Sequence, residues 1–247
     1  MGGPAVAALP AGVWLAEKVG YPLVFIVGAV SALAVLVAVP GLPGRVTTED
    51  APVGVVAGLR SAALVRPALI FALTSMATGV VVTFLPLAVP VGSGALASLA
   101  LLAQAVTTTV GRWYAGLHGD RHGAGVLLIP GVLLAAAGML TAALVTSPAA
   151  VVVGMVLVGA GFGVAQNASL TMMFDAVPPS GYDTASALWN LAYDGGLGLG
   201  GVAFGVLAAR TGYPVAFAAT AALMLVALAP VYRASLTGRT PNGRLQR

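Results

Sequence analysis

Long apolar runs, separated by short breaks rich in glycine and proline, make up most of this 247-residue chain. Eight runs can be traced, at residues 2–16, 21–40, 67–90, 94–117, 125–146, 149–173, 184–209 and 213–232. Most have the ~20 residues that a helix needs to cross a hydrocarbon core of ~30 Å. They are continuously apolar, which is typical of membrane helices and not of alternating barrel strands. The pattern predicts an all-α integral membrane protein with about eight transmembrane helices.

The composition points to the same class of protein. Hydrophobic residues make up 59% of the chain and charged residues only 7%, too few to cover the surface of a soluble fold. The chain has no cysteine, which excludes disulfides and thiolate metal sites. Its basic residues are scattered between the runs, so the net charge of +4 does not indicate a nucleic-acid partner. The expected partner is the lipid bilayer.

The basic residues predict an orientation in the membrane. If the eight runs alternate across the bilayer, nine of the eleven fall on one side: Arg45, Arg60, Arg66, Arg112, Arg121, Arg233, Arg239, Arg244 and Arg247. Lys18 and Arg210 fall on the other side. By the positive-inside rule, both termini and the long loop at 41–66 are then cytoplasmic, as in a multi-pass protein of the plasma membrane.

A segment near the N-terminus recurs near the C-terminus. Residues 15–25, LAEKVGYPLVF, match residues 207–217, LAARTGYPVAF, at an offset of 192. Six runs separate the copies, so the copies share one orientation, as parallel repeats do. The alternative is a chance likeness between two Gly-Tyr-Pro turns. The same offset predicts a partner helix that begins before Met1 and an N-terminal truncation of about four spans; a protein that is naturally short is the other interpretation.

The sequence GLHGDRHG at 116–123 lies between the fourth and fifth runs, on the arginine-rich side. Together with the span count, the long loop and the six-span repeat, it resembles the cytoplasmic loop motif of the major facilitator superfamily, in its C-terminal-half copy. Gly116 and Gly123 suit a sharp turn, Asp120 can accept from a helix N-terminus, and Arg121 can pair with a carboxylate or phosphate. Ala124-Gly125 stands where the family often has basic residues.

The resemblance implies a twelve-helix transporter fold of which this chain holds the last two-thirds. Its parts would be two helices of the N-terminal half at 1–40, a central cytoplasmic loop at 41–66, a complete C-terminal half at 67–233, and a basic tail at 234–247. The implied function is secondary transport of a small organic solute by alternating access, with a proton as coupling ion, as in drug-efflux antiporters. A fragment or subunit without transport activity of its own is the alternative.

Other classes of function find little support. Neither H-E-x-x-H nor G-x-S-x-G occurs, and the two histidines share one loop, so we expect no enzyme, no cofactor and no metal.

Asp194 is the most informative candidate side chain. It lies about ten residues into an apolar run, where a carboxylate costs ~2.5–3.5 kcal/mol, so it should face the bundle interior or a cavity. Asn190 shares its helical face and Tyr193 is adjacent. Proton coupling or substrate contact is one hypothesis; a structural carboxylate, bonded to a facing helix or to Arg112, is the other.

Further candidates are polar residues inside the runs. Arg112 either reaches the cytoplasmic surface or pairs with Asp194 or an anionic substrate. Substrate contact, or bonding between helices, is expected of a second group: Gln166, Asn167, Thr74, Ser75 and Thr78. Gly196 and Gly200 form a G-x-x-x-G pair that predicts close helix packing.

Overall fold

The protein is described from a computed structural model that covers residues 20–38 and 54–237. Every regular element in these residues is helical, which confirms the prediction of an all-α fold. The α-helices are α1 (Tyr21–Ala38), α2 (Val55–Arg60), α3 (Ala62–Ala88), α4 (Gly94–His122), α5 (Leu128–Ala142), α6 (Pro148–Asp175), α7 (Tyr182–Thr211) and α8 (Tyr213–Thr237). Short 3-10 turns at Ala124–Leu127 and Pro179–Gly181 lead into α5 and α7.

The chain divides into two compact units, residues 1–51 and residues 52–247. The first contains α1, an apolar helix of 18 residues whose Ser31 hydroxyl donates to the Val27 carbonyl at 2.7 Å. The second contains α2 to α8. The predicted run at 2–16 lies outside the described residues.

Five stretches of the described chain are long and apolar enough to cross a membrane: Ala62–Ala88, Gly94–His122, Ala124–Ala142, Pro148–Asp175 and Pro179–Thr211. They correspond to five of the eight runs. The apolar stretch of α8, Tyr213–Leu228, is shorter.

The segment at 41–66, expected as a loop, is partly helical and packed. Its residues Val55–Arg60 form α2, and Gly58 is buried against Thr184 and Leu188 of α7. Helix α3 then begins at Ala62, five residues before Pro67, where the apolar run starts. Proline is tolerated inside a membrane helix because neighbouring groups satisfy the carbonyl that it leaves unpaired. The proline therefore does not mark the start of this helix.

The two Gly-Tyr-Pro corners have the same local structure. Gly20 has φ +85° and Gly212 has φ +81°, in the left-handed region that favours glycine. A helix begins at the following tyrosine in both copies, with proline in the first turn, where its missing N–H is not needed. Local geometry thus repeats along with the sequence.

Helix α6 is the central element of the second unit. It packs along α4 on one side and α5 on the other, while α3 packs along α7. Glycines allow these close approaches, as the predicted Gly196 and Gly200 pair does on α7, where the two glycines meet Ala72, Ser75 and Met76 of α3. On α6, Gly163 lies against the Thr108 carbonyl oxygen of α4. This contact fixes the register of α4 against α6 and so positions Arg112.

Candidate functional site

Arg112 is the one basic residue that the structure describes deep inside a span. It lies about 15 Å from the end of α4 at His122, at 1.5 Å per residue. Its side chain is partly buried and donates from Nη2 to the Oε1 atom of Gln166 on α6. The Nε atom is buried and has no hydrogen-bond partner among the described residues. The guanidinium therefore turns toward α6, and α4 continues for ten residues beyond Arg112, five more than the apolar run predicted.

Asn167 follows Gln166 and is also partly buried. Its Nδ2 atom lies 3.8 Å from the place that a Cβ on Gly116 would take. Both amides thus sit at the contact between α4 and α6, close to Arg112. This is the part of the predicted site that the structure brings together.

Four aromatic rings stack beside this polar pair. Phe71 of α3 is fully buried, with its ring centroid 4.6 Å from that of Trp189, 5.8 Å from Phe162 and 6.0 Å from Tyr193. We call these four residues the aromatic cluster. Trp189 donates from Nε1 to the Ser169 hydroxyl at 3.0 Å, which orients its ring. Trp189 and Tyr193 remain partly exposed.

The cluster and the polar pair adjoin each other. Phe162 precedes Gln166 by one helical turn on α6, so the two share a face. Tyr193 lies within electrostatic range of the Arg112 guanidinium. Of the cluster, only Tyr193 was among the sequence candidates. The spacing of Trp189 and Tyr193, four residues apart, could have predicted an aromatic cluster, because large rings at that spacing share one face of a helix.

The hydroxyl groups of α3 lie inside the packed bundle. Thr74 donates to the Phe71 carbonyl at 2.9 Å, and Thr78 donates to the Thr74 carbonyl at 3.1 Å. Ser75 sits at the contact with Gly196, and its buried hydroxyl has no partner in the described part of the chain. These residues contribute to helix packing; the structure does not bring them to the Arg112–Gln166 pair.

Asp194 and Asn190 are exposed on the second unit, so the described residues do not enclose the carboxylate. Asn190 donates to the Ser186 carbonyl at 2.9 Å, and Asp194 contacts no polar partner that the structure describes. Helical geometry explains this outcome. Gly196 faces α3, and Asp194 lies two residues earlier, about 200° around the helix. Asp194 and Arg112 are therefore not paired.

The 116–123 motif is helical for most of its length. Helix α4 continues to His122, so Gly116 lies within it and does not form the turn that was predicted there. The helix ends at Gly123, which has φ +86° and whose N–H donates to the Gly119 carbonyl at 2.8 Å. Asp120 and Arg121 are both exposed at this end. Gly123 alone therefore forms the sharp turn. The turn was also expected at Gly116 because the apolar run ends at residue 117, five residues before α4 does.

Replacing Gly123 with alanine should destabilise the turn between α4 and α5. No atom lies within 4 Å of the added Cβ, so the cost of about 1–3 kcal/mol comes from the backbone conformation alone. Thermal unfolding in detergent, followed by circular dichroism, would measure it. Gly119→Ala is the matched control, because its Cβ would make only ordinary contacts with Ala124 and its helical φ suits alanine. Equal melting temperatures for the two variants would contradict this account.

No group of three histidine, cysteine, aspartate or glutamate side chains within 20–38 and 54–237 could hold a metal ion. The chemistry that the described site offers is that of a cation and two amides beside aromatic rings, within helices long enough to span a membrane.

Comparison with known proteins gives the family. The model of the Major Facilitator Superfamily matches residues 67–246, which is most of the chain and includes all of α4 to α8. A search of curated proteins finds no matching sequence. The chain belongs to the Major Facilitator Superfamily, and this multi-pass membrane protein is accordingly a secondary transporter of a solute and not an enzyme.

Proposed function

We propose that the protein moves a small organic solute across the plasma membrane by alternating access, coupled to protons and acting in efflux. The observation that carries this proposal is Asp194. It lies about 18 Å from the start of α7, at 1.5 Å per residue, and its carboxylate is exposed on the second unit. A charge at that depth cannot face lipid without a cost of ~2.5–3.5 kcal/mol, so it faces water or another polar group.

Proton uptake would neutralise the Asp194 carboxylate and thus change whether it is more stable in water or enclosed by helices. A charged carboxylate favours contact with water, while a protonated one can be enclosed by apolar helices. A site with two such states can bias two conformations of a transporter. Asn190 shares this exposed face of α7 and supplies a further polar group.

The other parts of the proposal follow from the sequence. The arginine distribution supports cytoplasmic termini. Exposed Asp120 and Arg121 at the end of α4 suit a latch between helix ends, made in one state and broken in the other. The few charges inside the spans favour an amphipathic solute.

Replacing Asp194 with asparagine should abolish uptake driven by a proton gradient while leaving downhill exchange intact. Asparagine keeps the size and polarity of the side chain but cannot take up a proton. The purified chain would be placed in proteoliposomes with an imposed pH gradient and trapped pyranine as pH indicator. Ethidium, naphthamide and naphthoate, which are a cation, a neutral molecule and an anion, would serve as probes.

Asp175→Asn is the matched control, because Asp175 is exposed at the end of α6 and outside the proposed site. It should transport as the unchanged chain does. Unchanged proton-driven uptake by the Asp194 variant would refute proton coupling through this residue. If the unchanged chain moves none of the probes, the alternative of a fragment without transport activity is favoured.

A further inference from the structure

Arg112 has a full charge inside a span and no counter-charge in the described structure. Its one hydrogen-bond partner there is the neutral amide of Gln166, and its buried Nε has none. Asp120, Asp175 and Asp194, on α4, α6 and α7, form no ion pair with it among the described residues. A cation at this depth is costly unless a partner is supplied. The Arg112 guanidinium therefore lacks a negatively charged partner among the described residues.

The groups around Arg112 are hydrogen-bond donors. Gln166 uses its Oε1 atom to accept from Arg112, which leaves its Nε2 group able to donate. Asn167 adds a second amide at the same helix contact. Donors that surround an arginine select an oxyanion, and the planar guanidinium matches the two oxygens of a carboxylate.

The aromatic cluster provides an apolar surface next to these donors. Its Phe71 and Phe162 rings are buried, while Trp189 and Tyr193 are partly exposed, and Phe162 lies one helical turn before Gln166 on α6. The Ser169 hydroxyl holds the Trp189 ring by its hydrogen bond. A flat apolar ligand can stack on these two rings. The cation and the aromatic rings together suit a ligand that has an anionic group at one end and an aromatic ring in the rest of the molecule.

We propose that Arg112 and Gln166 bind the carboxylate of an aromatic organic acid, whose ring stacks on Trp189 and Tyr193. This assignment rests on the proposed transport function and names its substrate class. It also gives Arg112 a different role from Asp194: the arginine recognises the solute, and the aspartate handles the proton.

Binding can be measured without transport, in nanodiscs of zwitterionic phosphatidylcholine and with no ion gradient. Changing Trp14 and Trp113 to phenylalanine leaves Trp189 as the fluorescent reporter, since the chain has three tryptophans. Naphthoate and naphthamide are the probes, because they share a ring system and differ in charge. We expect naphthoate to bind at least about tenfold more tightly, the effect of one charged hydrogen bond.

Arg112→Gln should remove this preference and leave naphthamide binding unchanged, which also shows that the variant folds. Arg112→Lys should keep part of the preference, because lysine retains the charge but not the planar fork. Arg210→Gln is the matched control: Arg210 is exposed near the far end of α7. Its naphthoate affinity should equal that of the unchanged chain.

Equal affinity of the unchanged chain for naphthoate and naphthamide would overturn the proposal, and so would an Arg112→Gln variant that still prefers naphthoate. Either result would leave proton coupling through Asp194 untouched, because this experiment involves no gradient. A failure of proton-driven uptake would likewise leave the binding result standing.

Discussion

Alanine in place of Gly163 is expected to disrupt the packing of α4 against α6 and to lower the stability of the second unit by about 3 kcal/mol, at the upper end for overpacking. The added Cβ would stand directly against the Thr108 carbonyl oxygen and 3.0 Å from the backbone nitrogen of Arg112. Backbone atoms cannot rotate away as a side chain can, so one helix would have to shift. Chemical unfolding in detergent micelles, followed by circular dichroism, would measure the loss.

Gly198→Ala is the control for this change. Gly198 is exposed in the middle of α7 and has no atom within 4 Å of an added Cβ. Surface substitutions of this kind stay within about 0.5 kcal/mol. The same chemical change should therefore lower the free energy of unfolding by very different amounts at Gly163 and at Gly198. Similar stabilities of the two variants would show that the α4–α6 contact is looser than described.

Phe71→Ala is expected to cost about 3–5 kcal/mol, the range for removing a large buried aromatic ring. The Phe71 side chain has no exposed surface and stacks on three other rings from α6 and α7. Its loss would leave a cavity where α3, α6 and α7 meet. The same unfolding measurement applies, and Trp189 fluorescence should shift as its ring loses its neighbour at 4.6 Å.

Two further variants make the Phe71 result interpretable. Phe71→Leu should lose less, because leucine refills part of the volume. Trp113→Ala should have a small effect on unfolding, although it removes a larger side chain, since Trp113 is 68% exposed. A loss for Trp113→Ala as large as that for Phe71→Ala would contradict burial as the cause.

The helical class and most helix positions could be predicted because hydrophobic runs report directly on burial in lipid. Helix ends were less predictable. Polar residues such as Asp120 end an apolar run but do not break the hydrogen bonds of a helix. Helix α4 therefore continues to His122, beyond the end of the run. Pro67 marked an apparent start, but α3 begins at Ala62 because a membrane helix tolerates proline.

The candidate site was predictable in its residue types and not in its pairings. Arg112 and Gln166 both stood out as polar residues in apolar runs, but their contact depends on the register of α4 against α6, which glycine contacts set. The aromatic cluster needs three helices to meet, and Phe71 looks like any core phenylalanine in the sequence. For Asp194, the cost of placing a charge in lipid predicted that the carboxylate has polar surroundings. The sequence could not show which groups provide them.

The hydrogen bond between Arg112 and Gln166 also has a consequence for biosynthesis. The two residues are 54 positions apart, so at about 5–20 residues per second the ribosome needs roughly 3–11 s to make the acceptor after the donor. Helix α4, with its cation, is thus made before the acceptor on α6. During that interval the long arginine stem can extend toward the phosphate headgroups. The contact between Arg112 and Gln166 requires α6 to be made and to pack along α4, so this part of the bundle cannot be complete until α6 is in place.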